Sequence, residues 1–386
     1  MSILRLGVIS FFYALGFGVV LFYLPFLAYA VSSSILFVGV LVALPALASM
    51  FAAIPVGYLM DVWGRRKVTL LGLLLMIFLM VYLSRSLALT GLILFVCLFG
   101  VAFQMVYSSL KSHLFDASVA GMASRYFGVI ASAFQLGLAA SPLLGGYLLG
   151  LPEGLSYACW AFVFVLIGIM LFFSFFDFGK TGLEKIPSFR DFLFGGFREY
   201  FKLGRTGLIV LWATVIFTTF EGLVWALEPL FNRFFGLDSF TTGVILSMFI
   251  LPFIVFNVPA GILADRYGKM RVLLPSLAFS GVFLILFGMS TNPMLLMVFA
   301  FISTSALAFS WVSTAGLIAE KSAKYKKNRI IGVWNTSEEL GYVMGPLLGG
   351  AIAQYSAINV PFIIVGILMI VTVVLIILMR GYSYDR

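Results

Sequence analysis

The sequence predicts an all-α membrane protein: twelve transmembrane helices in two pseudo-symmetric six-helix bundles. Three observations carry that expectation. Hydrophobic residues make up 62% of the 386 residues and charged residues only 10%, with a mean hydropathy of +1.14; a typical water-soluble chain is about 45–50% apolar and about 25% charged. Apolar runs close to the ~20 residues that a spanning helix needs recur along the whole chain. The second half of the chain repeats landmarks of the first. So few charges cannot clothe a water-facing surface, which excludes a disordered chain, a collagen-like fibre, a coiled coil and a nucleic-acid-binding domain.

Charges and Gly/Pro/Asn/Ser clusters break the runs into twelve spans. The first covers about 6–30. It ends in Ala28-Tyr29-Ala30, which resembles a signal-peptidase site, but the apolar run before it is too long for a cleaved leader, so it is expected to stay as a span. The second (35–60) stops at a short loop of mixed charge, and the third (67–84) stops before Arg85. The fourth (88–110) carries Cys97, Gln104 and Tyr107; the fifth (124–149) is rich in glycine; the sixth (155–176) holds Cys159. The two cysteines fit neither a disulfide framework nor a metal set and read as apolar filler, and the lone His113 cannot build a multi-histidine site. A polar segment with Lys180, Lys185, Arg190, Arg198, Lys202 and Arg205 follows. It divides the chain into an N-terminal bundle (1–177), a linker (178–205) and a C-terminal bundle (206–386). The seventh span (206–234) contains Glu221 and Glu228, and the eighth and ninth are 240–264 and 271–290. The tenth (293–318) includes Trp311, the eleventh (330–353) carries Asn335, Glu338 and Glu339, and the twelfth is 358–380.

One register relates the halves. Pro25 falls on Pro229, Gly39 on Gly243, Asp61 on Asp265, Gly64 on Gly268, Arg125 on Arg329, and Gly137 with Pro142 on Gly341 with Pro346, always at the same shift. The physical meaning is two copies of one bundle, expected to face each other across an axis normal to the membrane. Of the 24 Lys and Arg residues, all but Arg85 and Arg233 fall on the side of the first turn, so both termini are expected in the cytoplasm. The net charge of +9 is then a topology signal and an attraction to anionic headgroups, and no nucleic-acid partner is implied.

The loop after the second span reads Gly57-Tyr58-Leu59-Met60-Asp61-Val62-Trp63-Gly64-Arg65-Arg66-Lys67, and its copy after the eighth reads Gly261-Ile262-Leu263-Ala264-Asp265-Arg266-Tyr267-Gly268-Lys269-Met270-Arg271. A carboxylate at the end of an apolar helix opposes the positive-inside bias, and here it occurs twice. This pattern resembles the signature loop of the major facilitator superfamily, and the resemblance covers the whole chain. A second signature lies in the fifth span, where Gly128, Gly137, Ser141-Pro142 and Gly145-Gly146 match the family's glycine-rich helix except at Ser141; the eleventh matches it with Gly332, Gly341, Gly345-Pro346 and Gly349-Gly350. The fifth-span form is similar to that of antiporters, drug exporters in particular. It implies a smooth, bendable face at the seam between the halves.

The resemblance further implies a cytoplasmic latch: Asp61 near the start of the eleventh span, Arg65 with Asp116, and in the other half Asp265, Lys269 and Glu320, joined by Arg125 and Arg329. Met270 stands where Arg66 stands in the first copy, implying a weaker second latch.

Four carboxyl groups lie inside spans. A charge at mid-membrane costs about 2.5–3.5 kcal/mol or more, so Glu221, Glu228, Glu338 and Glu339 read as functional. Glu228, next to Pro229, also fits a position near the outer water. Glu338 shares a helical face with Gly345 and Gly349, and Glu339 points away from it. Burial favours the neutral carboxyl, so such a group can hold a proton when isolated and release it as a cation approaches. The first half contributes neutral groups, Gln104, Tyr107 and Gln135, while Trp311, Trp334, Tyr342 and Phe134 offer rings for an amphipathic guest. These features lead to the expectation of a proton-driven exporter of amphipathic or cationic small molecules working by alternating access. Its alternative is a proton-coupled uptake symporter for a sugar or other metabolite. No P-loop, nucleophile elbow or His/Cys metal set suggests an enzyme. No cofactor beyond the proton gradient, a monomer in a prokaryotic inner membrane, and protons plus a small molecule as partners complete the expectation.

Overall fold

A computed structural model describes residues 3–85, 88–117, 123–175, 204–322 and 327–381. Within them the chain forms α1 (Ile3–Ser32), α2 (Ile35–Trp63), α3 (Arg65–Leu83), α4 (Leu89–Ala117), α5 (Ala123–Leu149) and α6 (Gly154–Phe175). After the linker come α7 (Gly204–Phe234), α8 in two pieces, α8a (Ser239–Met248) and α8b (Leu251–Tyr267), then α9 (Lys269–Met289), α10 (Pro293–Ser322), α11 (Lys327–Tyr355) and α12 (Val360–Gly381). Helix is the only open-ended way to satisfy backbone groups in lipid, and the predicted all-α class is the one observed. Eleven of these helices are apolar and long enough to cross a bilayer. The exception is α11, whose central run Asn335-Thr336-Ser337-Glu338-Glu339 lowers its hydropathy.

Polar side chains set several helix starts. Ser34 Oγ accepts from Phe37 N at 3.3 Å, and Asn292 Oδ1 accepts from Met294 N at 2.9 Å. Asp238 Oδ1 accepts from Phe240 N and Thr241 N at 3.0 Å. The Thr241 hydroxyl and backbone hold the Asp238 carboxyl below its ordinary pKa. The one helix that the sequence read as continuous and the structure breaks is α8. Its chain turns at Phe249-Ile250, and Pro252 opens α8b, a position where the missing N–H costs nothing.

The chain divides into two compact units, 1–188 with 238–247, and 189–237 with 248–386. This differs from the sequence division in one segment: α8a belongs with the first unit. Glycine is the reason, because a Cβ on Gly243 would strike Pro142 O and one on Gly146 would strike Ser239 O. The predicted linker (178–205) lies almost wholly outside the described residues.

Inside each unit the same interlock recurs. In the first, a Cβ on Gly137 would strike the carbonyl of Phe11 on α1; in the second, one on Gly341 would lie 2.6 Å from the carbonyl of Val215 on α7. Phe11 and Val215 stand at the same register shift as the two glycines. Gly18 opposes Ser141 and Leu138, and its counterpart Gly222 opposes Pro346 and Tyr342. Gly145 receives the Phe22 ring, and Gly345 sits 2.6 Å (to a built Cβ) from Leu223 N. Small residues permit this backbone approach, which replaces the hydrophobic drive that lipid removes. Gly137 and Gly145 of α5 thus pack on α1, and Gly341 and Gly345 of α11 on α7, while Gly146 and Pro142 of α5 meet α8a, a segment of the second half of the sequence. The departure at Ser141 is accommodated: its hydroxyl donates to Leu138 O at 2.8 Å and is fully buried opposite Gly18.

Gly137→Val and Gly341→Val are each expected to destabilise the purified protein by about 1–3 kcal/mol through overpacking. Gly168→Val is expected to be neutral, because nothing lies within 4 Å of a Cβ there. Thermal unfolding in detergent reads all three.

Candidate functional site

The site is built on α7. Thr214, Phe217, Glu221 and Glu228 succeed one another at helical spacing along one face. At the lower end, Trp334 Nε1 on α11 donates to Thr214 Oγ1 at 2.9 Å. Two turns up, the Tyr342 hydroxyl donates to Glu221 Oε2 at 2.6 Å. Both donors come from α11, eight residues apart, and both acceptors from α7, seven apart, so the helices run parallel and are cross-linked twice. Between these bonds lies a ladder of rings: Phe217 stacks on Trp311 of α10 at 4.7 Å, and Trp311 stacks on Trp334 at 5.3 Å. Glu338 stands one turn from both Trp334 and Tyr342 and on their stripe, and Tyr342 lies in the field of Glu221, Glu338 and Glu339. Glu221, Trp225, Glu338, Glu339, Asn335 and Trp311 are all partly exposed. The structure thus brings together Glu221, Glu338 and Trp311.

Glu228 is placed differently. It is completely buried with Asn232, whose amide donates to Glu228 Oε1. The Glu228 side chain is shielded by protein on all sides. In the first unit Gln104 accepts from the Ser49 hydroxyl at 3.0 Å and donates to Ser108 at 2.9 Å. Tyr107 stacks on Phe103 at 5.0 Å and tilts against Phe134 at 5.5 Å. Gln135 is half-exposed on α5.

The second signature loop forms its ion cluster. Lys269 Nζ lies 2.9 Å from Asp265 Oδ1 and 2.6 Å from Glu320 Oε1. The lysine stem crosses over Gly316, where a Cβ would collide with it. Met270, in place of a second base, packs on the cluster of Val210, Leu273 and Leu317. In the first copy Arg66 donates to the carbonyl of Ser174 on α6. Gly64 and Gly268 hold φ of +86° and +95°, a left-handed region that a side chain resists. Gly57 lies one turn before Asp61 on α2. The side chains of Asp61, Asp116, Arg125 and Arg329 lie outside the described residues, so the first latch is not placed. Among the described residues no three His, Cys, Asp or Glu side chains converge on a point that a metal would take.

Sequence reasoning named Tyr342 only as a ring and missed it as the donor to Glu221. A signal was present. At the repeat shift Glu221 corresponds to Phe17 and Tyr342 to Leu138, so two positions facing each other in the repeat both changed from apolar to polar.

Helical units with an internal repeat, small-residue interlocks and partly exposed carboxyl groups inside spans define a multi-pass membrane transporter. The sequence profile of the Major Facilitator Superfamily matches residues 6–200 and 210–385, and the chain belongs to that superfamily. An uncharacterized MFS-type transporter of Methanocaldococcus jannaschii is 25% identical over 170 residues, 44% of each chain. The quinolone resistance protein NorA of Staphylococcus aureus is 27% identical over 154 residues, 40% of this chain and 39% of that protein. The match thus spans less than half the length of these relatives. Among solved structures, the nucleoside transporter NupG aligns with a TM-score of 0.82 at 13% identity, covering 99% of this chain and 100% of that one. The human organic anion transporter MFSD10 aligns with a TM-score of 0.71 at 18% identity, covering 97% and 98%. At these identities the likeness is one of fold.

A double-mutant cycle of Lys269→Met and Glu320→Gln is expected to return a coupling of about 0.2–1 kcal/mol that shrinks with added salt, as for exposed ion pairs. Chemical denaturation of the four proteins at two ionic strengths measures it.

Proposed function

We propose that this transporter is a proton-coupled antiporter that exports amphipathic, cationic small molecules by alternating access, from a cell membrane with both termini in the cytoplasm. The observation that carries the reading is the Tyr342–Glu221 bond beside the Phe217–Trp311–Trp334 ladder. A carboxyl group next to stacked rings suits a flat organic cation: the rings supply area and quadrupole attraction, and the carboxylate supplies the counter-charge. Glu221 is assigned the exchanged proton, with Tyr342 orienting it. Glu338 and Glu339 supply further negative charge on α11. The fifth-span glycine pattern and the similarity to the quinolone resistance protein NorA favour export. The uptake alternative needs free hydrogen-bonding groups for a polar metabolite, and in the first unit Gln104 already spends an acceptor and a donor on Ser49 and Ser108.

In everted vesicles, Glu221→Gln is expected to abolish proton-driven accumulation of a fluorescent lipophilic cation while leaving downhill movement measurable. Tyr342→Phe is expected to retain coupling at reduced rate. Accumulation that persists in the triple variant Glu221→Gln, Glu338→Gln, Glu339→Gln refutes the coupling assignment.

A further inference from the structure

A groove of about 450 Å³ opens on the flank of the second unit, lined by Leu263 and Tyr267 of α8b, Arg271, Val272, Pro275 and Ser276 of α9, and Phe309 of α10. It is polar at one end and apolar along the rest. Arg271 and Tyr267 stand exposed at the mouth, and the Arg266 guanidinium lies 5.4 Å from the centroid of the Tyr267 ring. Lys269 pairs with both carboxylates of that region, Asp265 and Glu320, and with Arg266 and Arg271 the five groups carry a net charge of about +1. Depth follows from the helix register. The α9 wall runs from Arg271 to Ser276, five residues, so the groove extends about 8 Å along the helix at 1.5 Å per residue. That is about half of one leaflet of a hydrocarbon core about 30 Å thick, room for the upper part of an acyl chain.

The repeat-equivalent wall of the first unit is packed differently among the described residues. The equivalent positions in the first unit are Leu59, Trp63, Lys67, Val68, Leu71, Gly72 and Met105. There the space is filled: Val56, Met60, Val68 and Met105 form a buried cluster, and a Cβ on Gly72 would lie 2.8 Å from Met105 Cβ. In the second unit Phe309 instead turns to the Phe256 ring at 6.1 Å. Pro275 replaces Leu71 and cannot donate to the Arg271 carbonyl.

We propose that this groove holds one anionic phospholipid, its phosphate against Arg271 at the mouth and one acyl chain laid along Val272, Pro275 and Phe309. An exposed arginine at the head of an apolar channel is what an anionic headgroup with the upper part of an acyl chain fits, whatever the protein transports.

Native mass spectrometry of the full chain, released from detergent with phosphatidylglycerol or phosphatidylcholine added, tests it. Phosphatidylglycerol is expected to be retained preferentially. Arg271→Gln is expected to weaken that retention about fivefold, the loss of one basic contact. Pro275→Leu, which restores the first-unit residue, is expected to close the groove and reduce retention, while Lys67→Gln leaves it unchanged. Equal retention of the two lipids, wild-type retention in Arg271→Gln or in Pro275→Leu, or an equal loss in Lys67→Gln overturns the proposal. So does glycerol 3-phosphate competing as well as the lipid, since the acyl chain would then contribute nothing.

Discussion

Lipid offers neither hydrogen bonds nor a hydrophobic reward for bringing two helices together, and the structure is organised around that lack. With no water to serve exposed backbone groups, the chain closes them within helices; with no hydrophobic drive between helices, backbones must touch for dispersion to hold them. The contacts of Gly137 with Phe11 and of Gly341 with Val215 are that solution, made twice at one register. They pair α1 with α5 and α7 with α11, and thereby fix which side chains of α7 face which side chains of α11. Thr214 meets Trp334 and Glu221 meets Tyr342 because the glycines have already set the distance and the rotation.

The same solvent decides how charge is used. At the membrane surface Lys269 binds two carboxylates, a contact open to water and worth little in stability. Its value lies in geometry, since it ties the end of α8b to the end of α10 across the turn at Gly268. Inside the span, each described acidic group on α7 has a donor: Tyr342 for Glu221 and Asn232 for Glu228. The two differ in access. Glu228 is fully buried, whereas Glu221 is mostly buried with a small exposed part beside a ring ladder, which is why the proposed guest is placed at Glu221.

Much of this was legible in the sequence, and for physical reasons. Span count follows from apolar length, and the repeat follows from proline and glycine, residues whose backbone demands survive when apolar side chains drift. Gly64 and Gly268 need positive φ, so their loop kept its spelling in both copies. The cluster of Asp265, Lys269 and Glu320 was readable from the family signature. Other features depend on rotation about the helix axis, which composition does not carry. The glycine stripe of α11 fits any neighbouring helix, and only the tertiary packing pairs it with α7. The break in α8 was hidden because Phe249-Ile250 is as apolar as its flanks, and Pro252 resembles the prolines that other helices absorb. Tyr342 was visible as a ring, but its hydroxyl acquires meaning only once Glu221 lies opposite.

The claim on which the functional account turns is that a guest cation and a proton compete for Glu221. Proton release on binding measures it directly. Purified protein in weakly buffered detergent is mixed with tetraphenylphosphonium while a pH indicator is followed. The account predicts release of about one proton per bound cation, as a competing charge at a desolvated carboxyl requires, and loss of that release in Glu221→Gln. Cation binding with no proton released, or with the same release in Glu221→Gln, would contradict it.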